Sequence, residues 1–173
     1  MADGGAFSNM QRFTPGAETA RAFRDALGLY ATGVTVVTAG SEQGPVGITA
    51  NSFASVSLDP PLVLWSPAKT SSRFDAFEAA ENYAIHILAE DQTNLCGRFS
   101  RDGYDFDGLD WAPDAEGTPL IEGCLARFEC RRVAVHEGGD HLIIVGEVTG
   151  AEMRSGAPLV FTSGRYGRFT AAP

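Results

Sequence analysis

Residues 124–148 constrain the fold more than any other part of the chain. Cys124, Ala126, Phe128 and Cys130 alternate with their neighbours, Glu137-Gly138-Gly139-Asp140 supplies turn chemistry, and His141–Val148 returns as a second extended run. Alternate side chains of a strand point to opposite faces, so this pattern predicts an antiparallel hairpin. Such a pair needs no crossover helix, and it favours a fold made of strands joined by turns.

The flanking segments agree. Val34–Thr38 is β-branched throughout and reads as a strand. Gly40–Pro45 is a turn, Val46–Asn51 and Phe53–Ser57 are extended, and Asp59-Pro60-Pro61 ends that stretch. Leu62–Trp65, Tyr83–Leu88 and Leu159–Phe161 bring the expectation to about seven strands. Helical spacing is confined to short pieces. Phe23, Leu27 and Tyr30 recur on one face between Thr14-Pro15 and Gly33. Phe74 and Phe77 mark a second helix, and Leu95 and Phe99 a third behind Asp91 as N-cap. The expected fold class is mainly β: an antiparallel barrel with a few short peripheral helices, not a doubly wound sheet. A chain of 173 residues is enough for one core. Residues 1–13 read as a disordered tail and 14–173 as one domain. Residues 100–120, rich in Gly, Asp and Pro, read as a long irregular loop of the kind that serves function.

Charge narrows the partners. A net charge of −9 opposes nucleic acid and anionic membranes, while small anions respond to local cations. No apolar run of about 18 residues is present. Met1–Gly5 lacks the basic and apolar regions of a secretory signal, so the expected location is cytoplasmic. The cysteines are three, Cys96, Cys124 and Cys130, with no C-x-x-C pair. They read as small buried hydrophobes, with Cys124 and Cys130 on one strand face.

Three segments could carry chemistry. Lys69-Thr70-Ser71-Ser72-Arg73, in the polar loop that opens at Ser66, precedes the helix that begins at Phe74. A helix N-terminus presents unpaired N–H groups and a partial positive charge, so hydroxyls and cations there suit a phosphate. The plainer alternative is an N-cap with solvated cations. Thr49-Ala50-Asn51-Ser52 puts small hydroxylated residues in a strand that should prefer bulk, which lets a flat ring approach the backbone; an ordinary polar edge strand reads the same way. Gly139-Asp140-His141 is a hairpin tip that fixes the direction of an imidazole. His136 and His141 are expected nearly opposite each other, without a third metal ligand. The carboxylates between Asp102 and Glu116 lack calcium-loop spacing and read as solvated. No Walker, G-x-S-x-G or G-x-G-x-x-G pattern occurs.

Taken in order, these segments resemble the short-chain flavin reductase family, the reductase components of two-component flavin monooxygenases. The resemblance runs from about Phe23 to Phe169 and is carried by residues 31–38, 47–53, 55–63, 69–72, 106–111, 139–141 and 146–148. It implies an FMN-binding, Greek-key split barrel that forms a homodimer, with flavin sites near the subunit interface. It implies FMN or FAD as flavin and NADH or NADPH as hydride donor, with a partner flavin-dependent monooxygenase receiving reduced flavin. Thr49, Ala50, Asn51 and Ser52 would line the ring and ribityl chain. Lys69, Thr70, Ser71 and Ser72 would hold the phosphate, Ser66 would also bind the flavin, and Tyr166 and Arg168 would lie near it. Gly139, Asp140 and His141 would receive the nicotinamide, with His141 orienting it. On the same barrel, an electron-transfer flavoprotein or a reductase of another acceptor such as a corrinoid stays open.

Overall fold

The long hairpin organises the molecule. In the computed structural model, which describes residues 10–172, it comprises β9 (Ala126–Gly138) and β10 (His141–Met153), paired antiparallel from His141↔Gly138 to Met153↔Ala126. Gly139 has φ +76° and Asp140 does not share the positive φ, which is the pattern of a type II′ turn. The hairpin is longer than its apolar alternation suggests, because both ends extend beyond the buried stretch.

The remaining strands add to both sides of this pair. Among them are β2 (Thr35–Ser41), β3 (Gly44–Ala50), β4 (Ala54–Leu58), β5 (Pro61–Trp65) and β6 (Asn82–Ile87). The seven-stranded sheet has the order β3-β2-β6-β9-β10-β5-β4, all antiparallel where paired. Its two outermost strands, β3 and β4, are consecutive in the chain. From Ala50 to Ala54 the backbone spans at most about 14 Å. A flat sheet would hold those edges roughly 29 Å apart at about 4.8 Å per strand. The sheet must therefore curl until its edges meet, and no ladder joins β3 to β4. That is a split barrel, with the seam at Asn51-Ser52-Phe53.

The barrel interior packs Trp65 against Phe77 edge-on at 5.0 Å and against Tyr83 at 6.1 Å, all three essentially inaccessible to water. Phe77 belongs to α2 (Phe74–Ala79), so its burial pins the loop before that helix. A second cluster under α3 (Thr93–Arg101) collects Leu95, Cys96, Phe99, Phe106 and Ile121.

Two small sheets complete the fold: β1 (Thr32–Gly33) with β11 (Leu159–Thr162) and β12 (Arg165–Arg168), and β7 (Trp111–Pro113) with β8 (Pro119–Ile121). Residues 100–120 are thus more ordered than their composition suggests. Phe99, Phe106 and Trp111 stack edge to face in sequence, and that aromatic series anchors the segment. Its carboxylates serve local turns and ion pairs: Asp114 Oδ1 accepts the N–H of Thr118 at 2.7 Å, and Asp105 pairs with Arg98 at 3.1 Å.

Other expectations need correction. The first helix is a 3-10 turn (Ala17–Thr19) followed by α1 (Ala20–Gly28), and its apolar face is not buried: Leu27, Leu29 and Tyr30 are largely exposed. Cys124 precedes β9 and lies near the amide of Gln92, so it does not share a strand face with Cys130. His136 is opposite Ile143, two positions away from His141. The expected tail falls largely on residues 1–9, which lie outside the described residues. No helix among the described residues is long and apolar enough to cross a membrane.

Candidate functional site

The barrel seam and the hairpin tip bring the three sequence candidates to neighbouring positions. Ser52 sits in the three-residue connection across the seam. Its hydroxyl donates to the Ser66 carbonyl (3.2 Å) and accepts the Ser66 N–H (2.9 Å), which ties the small-residue strand to the start of the polar loop. That loop is tied in turn to the hairpin tip. The Lys69 N–H donates to the Asp140 carbonyl at 2.9 Å, the Leu142 N–H donates to Pro67 at 3.1 Å, and Ala68 bridges to His141. Segments some 70 residues apart thus form one continuous rim, because β5 and β10 are adjacent and end at the same corner.

At that corner Lys69 Nζ forms an ion pair with Glu137 of the hairpin. His141 Nδ1 lies 2.7 Å from Asp140 Oδ1. The hydrogen bond and charge of His141, aided by Lys69, hold the Asp140 carboxyl below the usual carboxylate range. Thr70 and Ser72 are exposed, whereas the Ser71 hydroxyl accepts the Arg73 N–H at 3.2 Å. The phosphate case is altered in its basis. The helix behind the loop has only six residues, so its field is small, and Ser71 serves the turn. What remains is Lys69, which a phosphate would have to share with Glu137, and the exposed hydroxyls of Thr70 and Ser72, the latter also on the wall of an acidic groove. Arg73 turns away, packing over Gly103 and donating to the Ser100 carbonyl.

On the other side of the seam, a cavity of about 190 Å³ is lined by Thr49, Ala50, Asn51, Ser100, Phe161 and Tyr166. α3 is set against it because Gly47 leaves room for the Phe99 ring, which a Cβ there would meet at 2.6 Å. The Thr49 hydroxyl is spent on the Cys96 carbonyl at 2.7 Å, so this side chain positions α3. Asn51 is exposed on the cavity wall. Tyr166 is hydrogen-bonded to Cys96 at 3.0 Å; that bond and burial hold its phenol protonated, pushed up to about 12. Arg168 does not line the cavity; its guanidinium pairs with Glu90 at 3.1 Å. Sequence reading missed Ser100, Phe161, Cys96 and Glu137. Ser100, Phe161 and Cys96 carry no local signal, since each reaches the cavity from a segment distant from Thr49–Asn51 in the chain. Glu137 stands beside the hairpin turn itself, and its pairing with Lys69 is what the sequence does not show. A larger groove of about 820 Å³ between α2 and the 114–118 turn carries Glu42, Asp75, Glu81 and Glu116 with no Lys or Arg among its lining residues, which disfavours phosphorylated ligands.

The geometry thus offers a small-walled cavity, a seam with backbone outside any ladder, and a corner where Lys69 stands paired with Glu137. A family model described as a flavin reductase like domain matches residues 27–170. The chain belongs to that family. FMN reductase (NADH) SmoA of Agrobacterium fabrum (strain C58) is 60% identical over 162 residues, covering 94% of this chain and 93% of that protein. The reductase subunit HsaB of a flavin-dependent monooxygenase from Rhodococcus jostii (strain RHA1) is 43% identical, over 84% of this chain and 76% of its own. The solved structure of the Streptomyces globisporus C-1027 NADH:FAD oxidoreductase SgcE6, in complex with NAD and FAD fragments, superposes with a TM-score of 0.83 at 39% identity, covering 88% of this chain and 94% of that one.

Proposed function

We propose that this protein is an NADH:flavin oxidoreductase that reduces FMN or FAD and supplies the reduced flavin to a partner monooxygenase. The observation that carries the reading is the continuous rim from the Thr49–Ser52 cavity through Ser52–Ser66 to Lys69 and His141. The names of the relatives at 60% and 43% identity support it.

Flavin chemistry fits the residues present. Small side chains at Ala50 and Asn51 leave room for a flat ring, and Lys69 with Thr70 and Ser72 presents one cation and two hydroxyls to a phosphate. When bound, the flavin accepts a hydride from the nicotinamide, a step that needs no side-chain acid. The protein contributes orientation and water exclusion. Backbone N–H groups around Asn51 and Ser52 would stabilise negative charge on a reduced ring bound there, and His141, braced by Asp140, would orient the nicotinamide.

One chain supplies only part of the walls, since about 190 Å³ is below the roughly 300 Å³ at which ligand pockets begin. Apolar side chains at Leu27, Leu29, Tyr30, Val56 and Leu58 stand exposed. Both observations support a homodimer in which a second copy completes the site.

Oxidation of NADH and NADPH with FMN, FAD and riboflavin in turn tests the activity; no flavin-dependent oxidation in any combination refutes it. Tightly retained FMN without turnover of added flavin favours a carrier instead. Lys69→Met should raise the Kd for FMN about tenfold, the scale of one charge-assisted hydrogen bond, and leave riboflavin within twofold. Equal effects on both flavins would remove the phosphate role. His141→Ala should raise KM for NADH about tenfold with flavin affinity retained. Unchanged NADH kinetics would sink its orienting role.

A further inference from the structure

Cys96 is hydrogen-bonded to three residues of the cavity wall, to two through its carbonyl and to one through its thiol. It is completely buried on the inner face of α3. Its carbonyl accepts hydrogen bonds from Thr49 Oγ1 at 2.7 Å and from Ser100 Oγ at 2.9 Å. Its thiol is hydrogen-bonded to Tyr166 Oη at 3.0 Å. Thr49, Ser100 and Tyr166 all line the same cavity. They come from β3, α3 and β12, elements that share no ladder with one another.

Tyr166 is the member of this set whose position is least fixed by its own element. β12 is a four-residue edge strand whose side chains are all exposed, and it pairs only with β11. The Tyr166 ring meets that of its cross-strand partner Phe161 at 5.2 Å in a tilted contact. The thiol therefore supplies a directional contact between this tyrosine and the buried body of the protein, beside the hydroxyl of Ser100. A hydrogen bond restricts both distance and angle, where an aromatic contact restricts chiefly distance.

We propose that Cys96 is a positioning residue for flavin binding: through its thiol it fixes Tyr166, and so the shape of the cavity that takes the flavin ring. This rests on the reading of that cavity as the flavin site. Cys96 itself does not touch the flavin. Its contribution is conformational, a preset tyrosine that costs less order on binding. A serine can make the same hydrogen bond from the same place, and an alanine cannot.

A double-mutant cycle tests this with flavin Kd, kcat and KM measured separately on full-length protein. Cys96→Ala and Tyr166→Phe should each raise the flavin Kd about three- to tenfold, the worth of one hydrogen bond. The double variant should match either single variant rather than their product, and Cys96→Ser should restore binding to within about twofold. KM for NADH should not move in either single variant, and the fluorescence of bound flavin should shift in parallel in both. Multiplicative effects would show that Cys96 acts through packing alone and overturn the proposal. So would a Cys96→Ser variant as weak as Cys96→Ala. Tyr166→Ala separates the two levels. If it leaves flavin affinity unchanged, the cavity is not the flavin site and both readings fall. If it weakens binding while Tyr166→Phe does not, the cavity reading stands and the thiol link fails.

Discussion

Gly146→Ala should destabilise the protein by about 3 kcal/mol, the upper range for overpacking a close-packed interior, and lower Tm by about 6–12 °C. A Cβ at Gly146 would lie 2.1 Å from Tyr83 Oη, 2.9 Å from Tyr83 Cζ and 3.2 Å from Cys130 Cβ. None of these atoms can retreat. Tyr83 is wedged against Trp65 in the barrel interior, and Cys130 is on the paired strand β9. Gly146 is also paired on both sides, with Arg132 of β9 and Val63 of β5, so the backbone has little freedom to move outward. The hydroxyl is the main obstacle, and removing it should help. Tyr83→Phe alone should be neutral or stabilising, because the buried hydroxyl has no hydrogen-bond partner among the described residues. Adding it to Gly146→Ala should recover about half of the loss. Urea unfolding of the four proteins measures the cycle. A Gly146→Ala variant within about 1 kcal/mol of wild type would show that the interior is looser than its packing indicates. The Gly146-Glu147-Val148 segment that helped mark the resemblance is thus required by the core rather than by the ligand.

The second large effect is a loss of stability in mild acid. His86 is fully buried on β6, with Nδ1 3.1 Å from the Val36 carbonyl and Nε2 accepting the Ile121 N–H at 3.0 Å. The neutral ring has a Nδ1 proton to donate and a Nε2 lone pair to accept, so it links β6 to β2 and β8. Burial, with a smaller push from Arg127, lowers its pKa from 6.5 to about 4. The unfolded chain therefore binds a proton that the folded protein refuses. The stabilisation is complete above pH 6.5, declines as pH falls, and levels off below about 4. The expected loss is about 3 kcal/mol across that window. Urea unfolding at half-unit steps measures the slope, and His86→Asn should flatten it. The same slope in that variant would assign the acid sensitivity to carboxylates instead.

Both effects arise from interior contacts that no segment announces alone. His86 reads in the sequence as one residue of the strand 83–88, and its partners Val36 and Ile121 are 50 and 35 positions away. The candidate site divides in the same way. Lys69–Ser72, Thr49–Ser52 and Gly139–His141 were legible because each pairs small or polar residues with a turn or an interrupted strand. Their joining through Ser52–Ser66 and Lys69–Asp140 was not, because it depends on β5 lying beside β10. Arg168 shows the reverse. A cation near the chain end suits an anionic ligand in the sequence, and the fold gives it Glu90 as a partner.

The sequence by itself determined the strands of the main sheet, the hairpin turn and the mainly β class; the short strands at 32–33, 111–113, 119–121 and 165–168 came only with the structure. Alternation has a period of two, and glycine permits positive φ at the hairpin turn, so both are written in neighbouring residues. Only the tertiary structure decided that the sheet curls until β3 meets β4, that residues 100–120 pack through Phe106 and Trp111, and that Cys96 stands behind the cavity wall. Those outcomes follow from closure and packing among distant segments. The free energy of such contacts depends on which surfaces meet, and local periodicity carries no record of that choice.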